Sequence, residues 1–468
     1  MADNVIVWED DPGSALGTIA VPTPDLNSPP YALSIEGAVP PAKIYDKGTP
    51  EFRYWAAAAA LSRAAKFWAG VVPAGITWEP GPVLSVKLDE GEDLNAFYDR
   101  QALNFFHGPS GDGRTVFSGE SPDIICHELG HGILDSLRPE LFNTASLEAP
   151  AFHESFADIS ALLTALQVPQ LRDSILKETG GHLDRNSDWS RLAEQLGSAI
   201  RAQSPDAVDP GCLRNAANSF TYQDPETLDV SAPASALSQE AHSFSRAFTG
   251  AFLEAFAGMV LTKSPSPTSD DLLEVSKAAG KLLVAAVQSA AIVPEWYSQV
   301  AAALIEADRE NGGTFSVPLR SAFVRRGILS TQNALAISFL QPGSMAVTAS
   351  LPSTGIKDMP LQAIDGAPYG LGNVPLFVHV ATQARRFTAL GSGRGGSTVM
   401  PPSSDHAARA FVEHLVRLGR IDYGSHGVTG GFIHHPRARK THRIERLRNG
   451  ALALRRILFY CQGCRERE

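Results

Sequence analysis

The chain has 468 residues, 44% of them hydrophobic and 19% charged, and a formal net charge of -10. That length and balance predict two to three domains with a sizeable buried core. Four cysteines are too few for a disulfide-framed scaffold, and the acidic balance gives no long-range pull toward nucleic acid or an anionic membrane.

Residues 1–50 are rich in Pro, Gly and Asp and predict an irregular segment with two short strands. The opening MADNVIVWEDDP lacks the basic and apolar regions of a secretory signal. No stretch reads as the roughly 20 apolar residues of a membrane span. The default expectation is a cytoplasmic protein with no membrane span, and export by a signal-less route stays open. Residues 51–136 predict a mixed α/β part. Phe52, Trp55, Ala59, Leu61, Ala65 and Trp68 recur at helical spacing over 51–70. Val83–Leu88 alternates as a strand does, and Leu103–Phe106 with Thr115–Phe117 predict a hairpin around Gly108–Gly113. Ser121-Pro122-Asp123 then opens a helix, with Ser121 at the cap, Pro122 at the first position and Asp123 near the positive helix end, running to about Ser136.

Residues 137–330 predict a helical part, with helices at about 149–166, 188–202, 236–260, 269–291 and 295–308. Residues 331–390 predict a small β-rich region, with strands at Ala334–Leu340, Ser344–Ala349 and Leu376–Val380. Residues 391–468 predict a Gly/Ser/Pro linker, a helix near 405–418 and a basic tail. The predicted fold class is α+β, with a cleft between the mixed part and the helical part.

The chemistry concentrates in two segments. His127-Glu128-Leu129-Gly130-His131 is an H-E-x-x-H motif, and positions i and i+4 share one helix face, so both imidazoles reach one ion. Glu128 beside the first imidazole suits the general base for a metal-activated water. On the next helix, Glu154 and Asp158 lie one turn apart. Glu154 supplies a third ligand, and Asp158 suits the acceptor that orients a ligand histidine. Two His and one Glu leave a fourth position for water, the composition of a catalytic Zn2+ site. The bland alternative is a polar face on each helix. The first helix, however, is apolar on both sides of its motif, where unpaired polar groups are costly.

With both segments in place, the chain resembles the thermolysin-like neutral metallopeptidases, the gluzincin type with H-E-x-x-H followed by E-x-x-x-D. Asn95-Ala96-Phe97-Tyr98 is similar to that family's edge-strand segment holding substrate backbone, and Leu103–Gly113 to the hairpin after it. Cys212-Leu213-Arg214-Asn215 and Glu240-Ala241-His242-Ser243 resemble the segments that carry its substrate arginine and transition-state histidine. Ser316–Leu329 resembles the end of its helical domain. The resemblance spans about residues 50–330. It implies a thermolysin-like core and a zinc endopeptidase acting on peptide or protein substrates. The implied ligands are His127, His131 and Glu154, with Glu128 as base and Asp158 behind the metal. Asn95, Ala96 and Arg214 are implied on the substrate, and His242 on the oxyanion. One departure stands out. By spacing from His131, Phe142 falls where the family carries a tyrosine, and a phenyl ring donates no hydrogen bond. A zinc-stabilised peptide-binding protein with weak or no catalysis is therefore the alternative reading, and a hydrolase of another amide or ester is a third.

The remaining features read as structural. Cys461 and Cys464 form a lone C-x-x-C without the context of a metal or redox motif, and Cys126 is expected in the core. His434, His435, Arg437, Arg439, Lys440, Arg443, Arg446 and Arg448 make the tail basic; it reads first as solvated and partly helical, with docking on an acidic face or partner, or weak polyanion binding, as alternatives.

Overall fold

The computed structural model describes residues 4–340, 358–393, 396–427 and 438–460. Ser344–Ala349, His434, His435, Arg437, Cys461 and Cys464 lie outside the described residues.

The N-terminal segment is more ordered than its composition predicts. β1 (Asn4–Trp8) and β2 (Thr18–Pro22) pair antiparallel, with Val5 and Val7 buried at the two-residue period of a strand. β3 (Ala32–Ile35) pairs with β4 (Val83–Lys87). Between them runs α1 (Pro50–Ala69), capped by Thr49, whose side chain accepts the Phe52 N–H. β5 (Ala96–Tyr98) and β6 (Ala102–Phe105) extend the same sheet. The hairpin partner of β8 (Thr115–Phe117) is β7 (His107–Pro109), not Leu103–Phe106 as expected. The turn explains the correction. Ser110 N–H bonds to Arg114 O at 2.8 Å and Gly113 takes φ +83°, so Pro109 must face Thr115 and His107 must face Phe117. Residues 102–105 are buried throughout, as a central strand requires.

α2 (Pro122–Leu137) opens where the sequence predicts, with the Ser121 side chain accepting the Ile124 N–H. β9 (Thr144–Ala145) and α3 (Glu148–Ala165) follow. Gly130 decides how closely α2 and α3 pack. A Cβ there would lie 2.7 Å from Ser160 Cβ and 2.9 Å from Ala157 Cα. Ser160 bridges three helices: its hydroxyl donates to Cys126 O and accepts from Trp68 Nε1, each at 2.9 Å.

The helical part adds α4 (Pro169–Thr179), the short pair β10 (Arg191–Leu192) and β11 (Arg214–Asn215), and α5 (Glu194–Gln203). It continues with α6 (Ala241–Lys263), α7 (Ser269–Ser289), α8 (Trp296–Glu310) and α9 (Ser316–Arg325). α6 corrects the expectation that no segment has the length and apolar character of a membrane span; 83% of its most apolar window is buried inside the protein, as a core helix should be. α10 (Thr331–Ile337) replaces the strand expected at Ala334–Leu340. Only Ala334 and Ile337 of it are buried, three apart on one helical face, and Ser330 caps it through the Asn333 N–H.

The C-terminal region builds a second sheet: β12 (Leu361–Ile364), β13 (Leu376–Val380), β14 (Ile421–Asp422), β15 (His442–Arg446) and β16 (Leu452–Arg456), in the order β12-β13-β16-β15-β14, with β9 pairing β13. α11 (Ser404–Arg417) packs on it, and Val378, Phe411, Val412, Ile444 and Leu454 share its core. The described part of the basic tail is therefore not a solvated, partly helical segment. Ile444 points inward while Arg443 and Glu445 point outward, the alternation of a strand half-buried on one face. The chain then crosses back, and β17 (Phe459–Tyr460) joins the first sheet, whose order is β17-β5-β6-β4-β3. The architecture is α+β: a five-stranded and a six-stranded sheet accompany the helices, β9 ties the second sheet to the segment between α2 and α3, and β17 returns the chain to the first sheet.

Candidate metal centre

The close approach of α2 and α3 at Gly130 brings three side chains together. His127, His131 and Glu154 are at most 3% exposed. His127 Nε2 lies 3.3 Å from Glu154 Oε2, and His131 Nε2 lies 3.7 Å from Glu154 Oε1. The two imidazoles stand edge to face, with centroids 4.9 Å apart. One donor atom from each of the three lies within 4.8 Å of the others, and among the described residues no other cluster of His, Cys, Asp or Glu does this.

The donor chemistry fits a divalent cation. Neither nitrogen of His131 and not Glu154 Oε2 makes a hydrogen bond among the described residues. Buried polar atoms left in that state cost about 1–3 kcal/mol each, which coordination would offset. Burial first, then the charges of His127, His153, His242 and Arg214, hold His131 well below its ordinary pKa. Its imidazole is thus neutral, the form that binds metal.

The surroundings fix these groups. Asp158 Oδ1 lies 3.0 Å from His127 Nδ1, leaving Nε2 turned toward Glu154. Arg214 donates from Nη2 to Asp158 Oδ1 at 2.8 Å and from Nε to both carboxylate oxygens at 3.2 Å. Burial opposes ionisation of Asp158, but the charges and hydrogen bonds of Arg214 and His127 outweigh it, and its carboxyl stays well below the usual carboxylate range. His242, at the second position of α6, is bonded through Nδ1 to Glu240 Oε1 at 2.6 Å, and its Nε2 lies 3.3 Å from Glu154 Oε2. Burial lowers its pKa, yet Glu154 and Glu240 outweigh this and raise it. Ser155 donates to Ser245 O at 3.0 Å, which locks α3 to α6 and places His242 beside Glu154.

Of the other residues singled out from the sequence, Glu128 is fully buried next to His127. Asn95 is fully buried just before β5, and neither atom of its amide makes a hydrogen bond among the described residues. Ala96 lies on β5 itself. Phe142 is buried, edge-on to Tyr98 at 6.4 Å and to Phe459 at 5.4 Å. Cys126 is buried in the core.

Three residues here escape sequence reasoning: His153, Arg456 and Phe459. Phe459 stacks on His131 at 4.9 Å with a 12° interplanar angle, and on His153 at 4.0 Å with 22°. Arg456 donates from Nε to Phe142 O at 2.9 Å and lies 4.3 Å over the Phe459 ring. The position of His153 directly before Glu154 is a signal that could have found it; nothing local marks the other two.

Neither a family model nor a curated protein matches the chain.

Proposed function

We propose that the chain is a zinc-dependent endopeptidase with a thermolysin-like core, its metal held by His127, His131 and Glu154. One observation carries this reading: the two imidazoles of an H-E-x-x-H helix meet the glutamate of the next helix in a buried cluster, where His131 and Glu154 Oε2 make no hydrogen bond among the described residues. A bound zinc would supply a water of lowered pKa and would polarise a carbonyl.

The protein's own groups do the rest. Glu128 accepts the proton of the attacking water and returns it to the leaving amine. Asp158 accepts the His127 Nδ1–H and so fixes the tautomer, and Arg214 keeps Asp158 ionised. Glu240 holds His242 at Nδ1, which leaves Nε2–H to donate to the developing oxyanion. The second reading, a zinc-stabilised peptide-binding protein, is favoured by Phe142, which offers no donor.

Metal content and turnover test the proposal together. Wild type and Glu128→Gln should each carry one zinc by mass spectrometry, and His131→Ala should carry none. Glu128→Gln should lose about 10²–10⁴-fold in chelator-sensitive peptide cleavage, the usual contribution of a general base. Undiminished cleavage by Glu128→Gln refutes the base assignment, and stoichiometric zinc in His131→Ala refutes the site.

A further inference from the structure

We infer that the C-terminal strand is a resident occupant of the peptide cleft: Phe459–Tyr460 holds the edge of β5 and covers the His131 face, and must withdraw before a peptide can enter. The inference rests on the peptidase reading for what enters the cleft, but not for what covers it.

Without β17, β5 would be the edge strand of the first sheet. An edge strand presents unpaired backbone groups that an extended segment can adopt. Here the adopting segment is the chain's own. Phe459 faces Tyr98 and Tyr460 faces Phe97 in antiparallel register. The side chain completes the plug, because Phe459 lies flat on His131 and His153 with Phe142 at its edge. The phenyl ring of Phe142 is thus a seat for Phe459, which gives a packing reason for a side chain with no hydroxyl at that position. The space left between Glu154, His242, Arg456 and Phe459 is about 60 Å³. Pockets that bury even a drug-sized ligand run to roughly 300–1,000 Å³.

The occupant is clasped at two points outside the triad. Arg456 N–H bonds to Asn143 Oδ1 at 2.9 Å while its guanidinium reaches Phe142 O. Arg439 pairs with Asp93 at 3.0 Å and lies 4.9 Å over Tyr460 and 5.4 Å over Phe97. The basic stretch therefore does dock on an acidic residue, and that residue lies two positions before Asn95. Two-residue pairing is weak by itself, so the closed arrangement depends on this clasp and on the aromatic plug.

The test uses the full chain, with Phe459→Ala removing the plug and Arg439→Glu breaking the clasp from a partly exposed position. Hydrogen exchange at the Phe459 and Tyr460 amides, and at the amide of Phe97 or Tyr98 that faces them, should quicken by at least about tenfold in Phe459→Ala, since truncating a buried aromatic shifts an opening equilibrium by more than that. In Arg439→Glu, which breaks a half-exposed ion pair, it should quicken by about 2–5-fold. Cleavage of a quenched fluorescent peptide by the zinc-loaded variants should rise by a similar factor. Unchanged exchange in two folded variants overturns the inference, and cleavage by wild type would then leave the peptidase reading standing. Faster exchange with unchanged wild-type turnover also overturns it, because the cover would not be limiting. Faster exchange with no cleavage by any form supports the cover and removes the peptidase reading.

Discussion

Replacing Gly130 by Ala tests whether the approach of α2 and α3 builds the metal centre. The added Cβ would sit 2.7 Å from Ser160 Cβ and 2.9 Å from Ala157 Cα, whereas ordinary contacts begin at 3.4 Å. The helices must therefore part by about 0.7 Å at Ser160 (3.4 minus 2.7) and 0.5 Å at Ala157 (3.4 minus 2.9). Neither neighbour can rotate away, since one atom is backbone and the other is fixed to it. Overpacking of this kind costs about 1–3 kcal/mol. Glu154 rides on α3 less than two turns from Ser160, and a metal site tolerates ligand displacements of only about 0.2 Å. Zinc affinity should fall by about 10–100-fold, the range seen when the support of a ligand is disturbed. Competition against a chromophoric chelator measures the affinity, and denaturant unfolding without metal measures the stability. Unchanged zinc affinity in Gly130→Ala, with or without a stability loss, refutes the claim that this contact sets the position of Glu154.

Asp158→Asn should lower zinc affinity by about 10–100-fold and cost about 3–5 kcal/mol, because Arg214 would be left buried without its carboxylate; a variant as stable as wild type contradicts this. The N-terminal segment predicts a pH dependence. Asp10 is buried near Asp11 and Glu194, and burial first, then those two charges, push it up to about 7 from 3.8. A carboxyl whose folded value is raised binds more protons in the folded state, so its stabilising contribution is present below about pH 4 and is lost as pH rises through 7. Asp10→Asn should flatten the fall in stability between pH 4 and 7, and an identical pH profile in the variant would count against the assignment.

The triad was legible because its geometry is local. H-E-x-x-H needs only the helical period to put His127 and His131 on one face, and the same period aligns Glu154 with Asp158. Ser121 and Pro122 mark the start of that helix in a form that needs no tertiary contact. Other elements depended on context. α4 buries little more than Leu171, Arg172, Ile175 and Thr179, too few apolar positions to show a period. In β15 the charge density hid an alternation that only a facing core makes decisive. Phe459 is the extreme case: it stacks on His131 across more than 300 residues, and a Phe-Tyr pair after a basic stretch has no periodic signature. Yet the sequence did hold half of that contact. Phe142 stood out as a missing donor in a substrate cleft, and the same absence becomes intelligible as a packing surface once Phe459 lies against it. A departure from a resembled pattern thus marked the place where another part of the chain enters the site, although not which part.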